Sequence, residues 1–510
     1  MEPIKFLTEI VLKVVEFLAD DITTLHSCIL VNREWCKITI PILWSNTFRQ
    51  IKPFNNVYSP EENQIISTYI MELSDKSIDL LNGYGIRFPA TLTQQKMLFD
   101  YSKFLRHLDM YRLKMFVRSW LYFTTRDTIR RYTSDQIQKM SIVLLNHFLR
   151  QTPYLISLKF TNSDTTEPII TALKDIPEAR SCLSKLKNLK QYYCTHPAKT
   201  ALFSQLAKYS LNIEYLDIAI DSQISELLTL IFAQRNLKRL SIRYKGAILS
   251  NVELWANDET GPVMPQREIL ITHLKLETVN FPLLALYKFE NLIELDLKTC
   301  GYQGYSKDDL NHFSTASFKH LEIFSFESKY PIYLESFAGL IRSSGENLKS
   351  LTLHGCQIED PENAQKLLVS LANYSPNIMF YDGPILEDNI CELESMLDNC
   401  NKLETLFLHP SISRCFAPTP SINFDPLFNV ITHNKYHKLK WLAIIHAWQI
   451  SEDALLDFFE THKKKNVGPI KFNYERTCTV FHGISSICTK YNYMGVGRDC
   501  KLIFFSKHHL

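Results

Sequence analysis

The sequence predicts an α/β solenoid, a parallel sheet with helices along its outer side, preceded by an all-α N-terminal module and a helical linker. Three observations lead there. A short apolar unit recurs between residues 154 and 444, amphipathic helical runs separate its copies, and three amphipathic helices fill the first 48 residues. The expected boundaries are 1–48 for the helical module, 49–150 for the linker, 151–465 for the solenoid and 466–510 for a C-terminal cap.

Composition is consistent with this. Of 510 residues 45% are hydrophobic and 22% charged, enough apolar matter for a large core. The net charge is only +2, so the global basic field that holds phosphate backbones is missing and nucleic acid is not an expected partner. Glu2, Lys5, Glu9, Lys13 and Glu16 break every apolar run near the start, so no secretory signal is read there. No run of apolar residues is long enough to span a bilayer, and no membrane association is expected. The twelve cysteines form no CxxC pair and read as reduced, partly buried small hydrophobes. The expected compartment is the cytoplasm, the nucleus or both.

The N-terminal module begins with FLTEIVLKVVEFL, from Phe6 to Leu18. Leu7, Ile10, Val11, Val14, Val15 and Leu18 recur at three- and four-residue steps, which places them along one helical face. After Asp20 and Asp21 a second amphipathic stretch follows, which Asp21 or Thr23 can cap by accepting an orphan amide hydrogen bond. Pro41 lacks an amide hydrogen, so a helix is expected to end or restart there. Three short helices bury too little to stand alone, so part of this apolar surface needs a partner.

These residues resemble the F-box. Its pattern is Leu-Pro-x-Glu-Ile-Leu, an apolar pair ending in Leu, an Asp, a Leu, a Val-x-(Lys/Arg)-x-Trp block and a terminal Leu-Trp. The chain carries Phe6-Leu7-Thr8-Glu9-Ile10-Val11, Phe17-Leu18, Asp21, Leu25, Val31-Asn32-Arg33-Glu34-Trp35 and Leu43-Trp44, in that order. The family's proline falls at Leu7, which keeps an apolar contact and loses the rigid helix start. The resemblance implies docking onto a Skp-type adaptor and, through it, a cullin. It makes Leu7, Ile10, Val14, Leu18, Leu25, Val31 and Trp35 the adaptor-facing or supporting positions, without dividing the two roles.

Residues 49–150 read as helical. Ser59-Pro60-Glu61-Glu62 has a cap, a first-turn proline and first-turn acids. Leu98, Tyr101, Leu105 and Leu108 make one helical stripe, and Ile137, Met140, Leu144, Leu145 and Phe148 another.

From residue 150 the sequence repeats. A relaxed Leu-x-x-Leu-x-Leu appears as YLISLKF at 154–160, NLKQYYC at 188–194, NIEYLDI at 212–218, NLKRLSI at 236–242 and NLIELDL at 291–297. It continues as HLEIFSF at 320–326, NLKSLTL at 347–353, KLETLFL at 402–408 and KLKWLAI at 438–444, with weaker copies at 273–276 and 377–380. Two leucines spaced by two on a strand point to one side, so they are expected inside a parallel sheet. SELLTLIF at 225–232, ESFAGLIR at 335–342, QKLLVSLA at 365–372 and EDALLDFF at 452–459 return the chain as helices. This is the pattern of a leucine-rich-repeat horseshoe. From Gly468 the helical pattern stops, and CKLIFFS near the end reads as a strand covering the sheet edge.

Module and repeat together resemble the F-box proteins with C-terminal leucine-rich repeats, of the fungal type with divergent repeats. That resemblance implies the substrate-recognition subunit of an SCF-type ubiquitin ligase, with the repeats holding a target protein. A non-degradative scaffold that never recruits a ligase is the alternative. Target contacts are expected on outward-facing strand residues: Tyr215, Asp217, Arg239, Ser241, Arg243, Glu294, Asp296, Lys298, Thr352, His354, Phe407, His409 and Trp441. No HExxH, G-x-S-x-G, phosphate loop or EF-hand spacing occurs among the sixteen histidines and the acids, and Cys391, Cys400 and Cys415 lack zinc spacing. No catalytic residue, cofactor or metal site is therefore expected.

Overall fold

Caps set where the first helices begin. In the computed structural model α1 spans Thr8–Phe17, α2 Ile22–Ile29 and α3 Arg33–Ser45. Asp21 Oδ1 accepts the Thr24 amide at 3.0 Å and Oδ2 the Thr24 hydroxyl at 2.6 Å, which fixes the start of α2. Asn32 Oδ1 accepts the Trp35 amide at 3.0 Å and does the same for α3. Pro41 lies inside α3, contrary to expectation. The helix loses one backbone bond there, but Ile38, Ile42 and Leu43 pack on both sides of the proline against the module core and carry it across. That core is Val11, Val15 and Leu25, with Leu18 and Trp35 partly buried against it.

The structure describes residues 8–49, 60–88, 97–124, 132–160, 163–191, 201–220, 225–244, 270–279, 283–299, 305–328, 330, 332–355, 361–386, 388–410, 422–434, 439–444, 448–464, 471–474 and 479–480. They fall into two units that meet between Leu237 and Lys238 in sequence.

In the first unit, helices Pro60–Met71, Asp75–Gly83, Met110–Thr124 and Ser134–Gln151 follow α3. Ser59, the expected cap, lies outside the described residues. The stripe read as helical from Leu98 to Leu108 is instead a 3-10 turn at Tyr101–Phe104 and a strand, β1, at His107–Asp109. Leu108 is buried because it sits on a strand, and Leu98 is exposed. β1 pairs in parallel with β2 (Ser157–Phe160), then β3 (Asn188–Gln191) and β4 (Tyr215–Ile220), so the sheet starts within the stretch read as linker. Arg106 ties α3 to that sheet: its amide donates to Ser45 O at 2.8 Å and its carbonyl accepts the Ile156 amide at 2.7 Å. Around the junction Phe48, Tyr69, Phe116 and Phe148 form a fully buried aromatic core. The Glu72 carboxylate accepts the amides of Tyr101 and Ser102 and the Ser102 hydroxyl, which holds the turn in place.

The second unit contains β5 (Arg239–Tyr244), β6 (His273–Glu277), β7 (Glu294–Thr299), β8 (Ile323–Ser328), β9 (Ser350–His354), β10 (Phe380–Ile385) and β11 (Thr405–Pro410). After β12 (Ile422–Asn423) come β13 (Trp441–Ile444), β14 (Trp448–Ile450), β15 (Lys471–Tyr474) and β16 (Thr479–Val480). β5 to β11, β13 and β15 pair successively and in parallel, while β12, β14 and β16 form a small parallel sheet of their own. Each described copy of the apolar unit overlaps a strand, the weak copy at 273–276 lying on β6 and the one at 377–380 reaching β10 at Phe380. Leu240, Leu274, Leu295, Phe324, Leu351, Leu406 and Leu442 point inward and are buried. Helices Lys307–Thr315, Leu334–Ser344, Ala364–Tyr374, Ile390–Asn399, Asp425–His433 and Glu452–Lys464 return the chain between strands. Successive helices approach closely: a Cβ on Gly339 would meet Ser314 at 2.5 Å, so only glycine fits there. The chain is an α/β solenoid. Residues 500–506, where a final strand is expected, and residues 251–269 and 411–421 lie outside the described residues.

Candidate functional site

Two surfaces stand out, one in each unit. On α1 the apolar face splits in two. Val11 and Val15 turn inward, while Ile10, Val14 and Phe17, at steps of four and three, form an outer stripe that is 51%, 45% and 91% exposed. At the α2–α3 turn Leu30 and Val31 are also exposed. Of the seven positions expected to face or support an adaptor, Ile10, Val14 and Val31 face solvent. Leu18 and Trp35 are partly buried against the core, and Leu25 is fully buried within it. Leu7 lies outside the described residues. Phe17 and Leu30, exposed beside Ile10, Val14 and Val31, are not among the seven. Phe17 was within reach, since it stands seven residues after Ile10 and so on the same face.

In the second unit the register arranges the outward side chains in three rows. One runs Arg239, His273, Glu294, Ile323, Ser350, Phe380, Thr405, Trp441. The middle row runs Ser241, Lys275, Asp296, Ser325, Thr352, Asp382, Phe407, Ala443, and the third begins Arg243, Glu277, Lys298, Glu327, His354. Opposite charges on adjacent strands pair along these rows: Lys275 with Asp296 and Lys298 with Glu327, each at 2.6 Å. Phe407 stands between Phe380 and Trp441 with ring centroids 5.4 and 4.9 Å apart, both edge-on. Eleven of the thirteen expected target positions therefore share this face. Tyr215 and Asp217 belong to the first unit, where Asp217 pairs with Lys190 at 3.3 Å.

The face also gathers titratable groups that sequence spacing hid. His354 at the end of β9, Asp382 on β10 and His409 on β11 place one donor atom each within 4.8 Å of one another. His354 Nε2 lies 2.8 Å and His409 Nε2 3.8 Å from Asp382 Oδ1, and the two rings meet edge to face at 5.1 Å. Burial disfavours the charged His354 ring, but contact with the Asp382 carboxylate and the charge of Glu327 outweigh it and raise its pKa. Below Asp382 the strand is pinned from inside. Tyr381 is fully buried, its hydroxyl donates to Pro384 O at 2.9 Å, and its ring takes the space a Cβ on Gly383 would need. Both histidines were expected on the outward face, but Asp382 was missed because it sits on a copy whose last apolar position is Gly383. The parallel LTLH and LFLH endings of β9 and β11 were the available signal. Two imidazoles and a carboxylate are a donor set that can hold a transition-metal ion. The buried thiols Cys182 and Cys400 are pushed up to about 12 by burial, far from the thiolate range a nucleophile needs.

Among the described residues no helix is long and apolar enough to cross a membrane. No family model and no curated protein matches the chain. Among solved structures, the chain is similar to the crystal structure of the Rad7 and Elc1 complex in yeast, with 13% identity over 76% of this chain and 93% of that one and a TM-score of 0.33.

Proposed function

We propose that this chain is the substrate-recognition subunit of an SCF-type cullin–RING ubiquitin ligase. The N-terminal module docks onto a Skp-type adaptor, and the outward strand face of the solenoid holds a target protein. The observation that carries the reading is the outer stripe Ile10, Val14 and Phe17, left exposed on a helix whose other face already has a complete core. An apolar stripe at helical spacing gains by being covered, and each large side chain so covered contributes about 1.5–3 kcal/mol. The F-box pattern in the same residues names the adaptor as what covers it. On the solenoid, mixed charges around the Phe380–Phe407–Trp441 aromatics suit a folded protein surface better than a phosphate backbone. Catalysis belongs to the partner enzymes, and this chain supplies proximity. It needs no cofactor for that role, and works in the cytoplasm, the nucleus or both.

Co-expression of the full-length chain with a Skp-type adaptor and a cullin tests the reading. The three are expected to co-elute, and Ile10→Asp, Val14→Asp and Phe17→Asp combined are expected to release the adaptor without lowering the melting temperature. Retention of the adaptor by that variant would move docking elsewhere. If the wild-type chain never co-elutes with adaptor, the receptor reading falls and the ligase-free scaffold stands.

A further inference from the structure

We propose that His354, Asp382 and His409 form a binding site for one divalent transition-metal ion of the zinc class, on the outward face of β9, β10 and β11. A metal ion needs convergent donors and burial. The three donor atoms lie within 4.8 Å of one another, and they come from three successive strands of a parallel sheet, which restrains their relative positions. Around zinc, with bonds of about 2.0–2.2 Å, neighbouring donors stand about 3.3 Å apart. The observed 2.8 and 3.8 Å to Asp382 Oδ1 straddle that separation.

The hydrogen bonding points the same way. Asp382 is 7% exposed, and its Oδ1 and the His354 Nε2 are both buried, with each other as their close polar contact. The 2.8 Å contact between them brings an imidazole nitrogen and a carboxylate oxygen together on the same buried spot. A buried carboxylate is costly without a cation or hydrogen bonds to offset it, and a bound cation would supply that compensation here. An ion there would be met by one negative charge and two neutral imidazoles, a set of borderline softness that favours zinc-class ions over magnesium or calcium. Support from behind is already built. Tyr381 and Gly383 fix the backbone on both sides of Asp382, as outer-shell groups fix ligands in metal sites. The His354 side chain is 28% exposed, which gives an ion a way in and leaves remaining coordination positions to water or to a group on a bound protein.

Chelator-treated full-length protein titrated with Zn²⁺ and Co²⁺, by calorimetry and by visible absorption of the cobalt form, is the test. One saturable equivalent is expected to disappear in Asp382→Asn and in the His354→Gln, His409→Gln double variant. It is expected to persist in His320→Ala, which alters an exposed histidine elsewhere in the same unit. Zn²⁺ should raise the melting temperature of wild type and lose that effect in the first two variants. Should those variants not fold, the wild-type chain still decides: Zn²⁺ is expected to protect His354 and His409, but not His320, from diethylpyrocarbonate. Equal stoichiometry in wild type and Asp382→Asn, no saturable equivalent in wild type, or unprotected His354 and His409 would each overturn the site.

Discussion

The outer surface of α1 and the outer face of β5 to β11 solve opposite problems. On α1 the outer stripe of Ile10, Val14 and Phe17 is apolar and stands apart from the module core, so it contributes little to the stability of the free chain. On the strands most outward side chains are polar or aromatic, and several meet one another across the register, Lys275 with Asp296, Lys298 with Glu327 and Phe407 with Trp441. The first surface gains by being covered by almost any complementary apolar groove, so it suits a constant partner. The second must be matched charge by charge and ring by ring, which suits selection of one target over others.

The largest effects should come from residues that serve neither surface. Leu351→Ala and Leu25→Ala each empty a fully buried site, and each should cost about 2–5 kcal/mol in denaturant unfolding. Leu351→Ala is expected to spread to neighbouring repeats, because each strand is held by the ones beside it. Next come Val14→Asp and Phe17→Asp. Stability should stay within about 0.5 kcal/mol of wild type, while adaptor affinity falls about 100-fold or more in a titration. Comparable losses of stability and affinity there would erase the contrast between the two surfaces.

Phe407→Ala probes the strand face. The loss of two edge contacts should cost about 1 kcal/mol of stability, and any target captured by the wild-type chain should bind about tenfold or more weakly. Asp296→Ala should do less, under about 1 kcal/mol, because Lys275 keeps much of its solvent. The smallest effect is a pH dependence in the module. The side-chain and backbone hydrogen bonds from Thr24 hold the Asp21 carboxyl below its ordinary value. Its cap therefore stabilises above the unfolded carboxylate pKa and is lost as pH falls through the lower folded one. The melting temperature of Asp21→Ala should lie below wild type at neutral pH, and the gap should close as the solution is acidified through that range.

Much of this was legible in the sequence, and the parts that were not have physical causes. Strand positions were readable because a two-residue spacing of buried leucines has no other easy explanation, and even His273–Glu277 fell into place. The stretch from Leu98 to Leu108 misled because its apolar residues fit a helical period by chance while a turn and a strand bury only some of them. The apolar positions on α1 were visible, but which half faces inward depends on where Leu25 and Trp35 pack, and that is a tertiary fact. The strand rows were outlined residue by residue without their pairings, since register across strands is not written in any one copy. His354 and His409 were found for that reason as separate contacts, and Asp382, which joins them, was not.

Hydrogen exchange of the full-length chain with and without a purified Skp-type adaptor tests the division of labour most directly. The expected result is slowed exchange confined to residues 8–31, with the amides of β5 to β11 unchanged. Protection on those strands with α1 unaffected would contradict it.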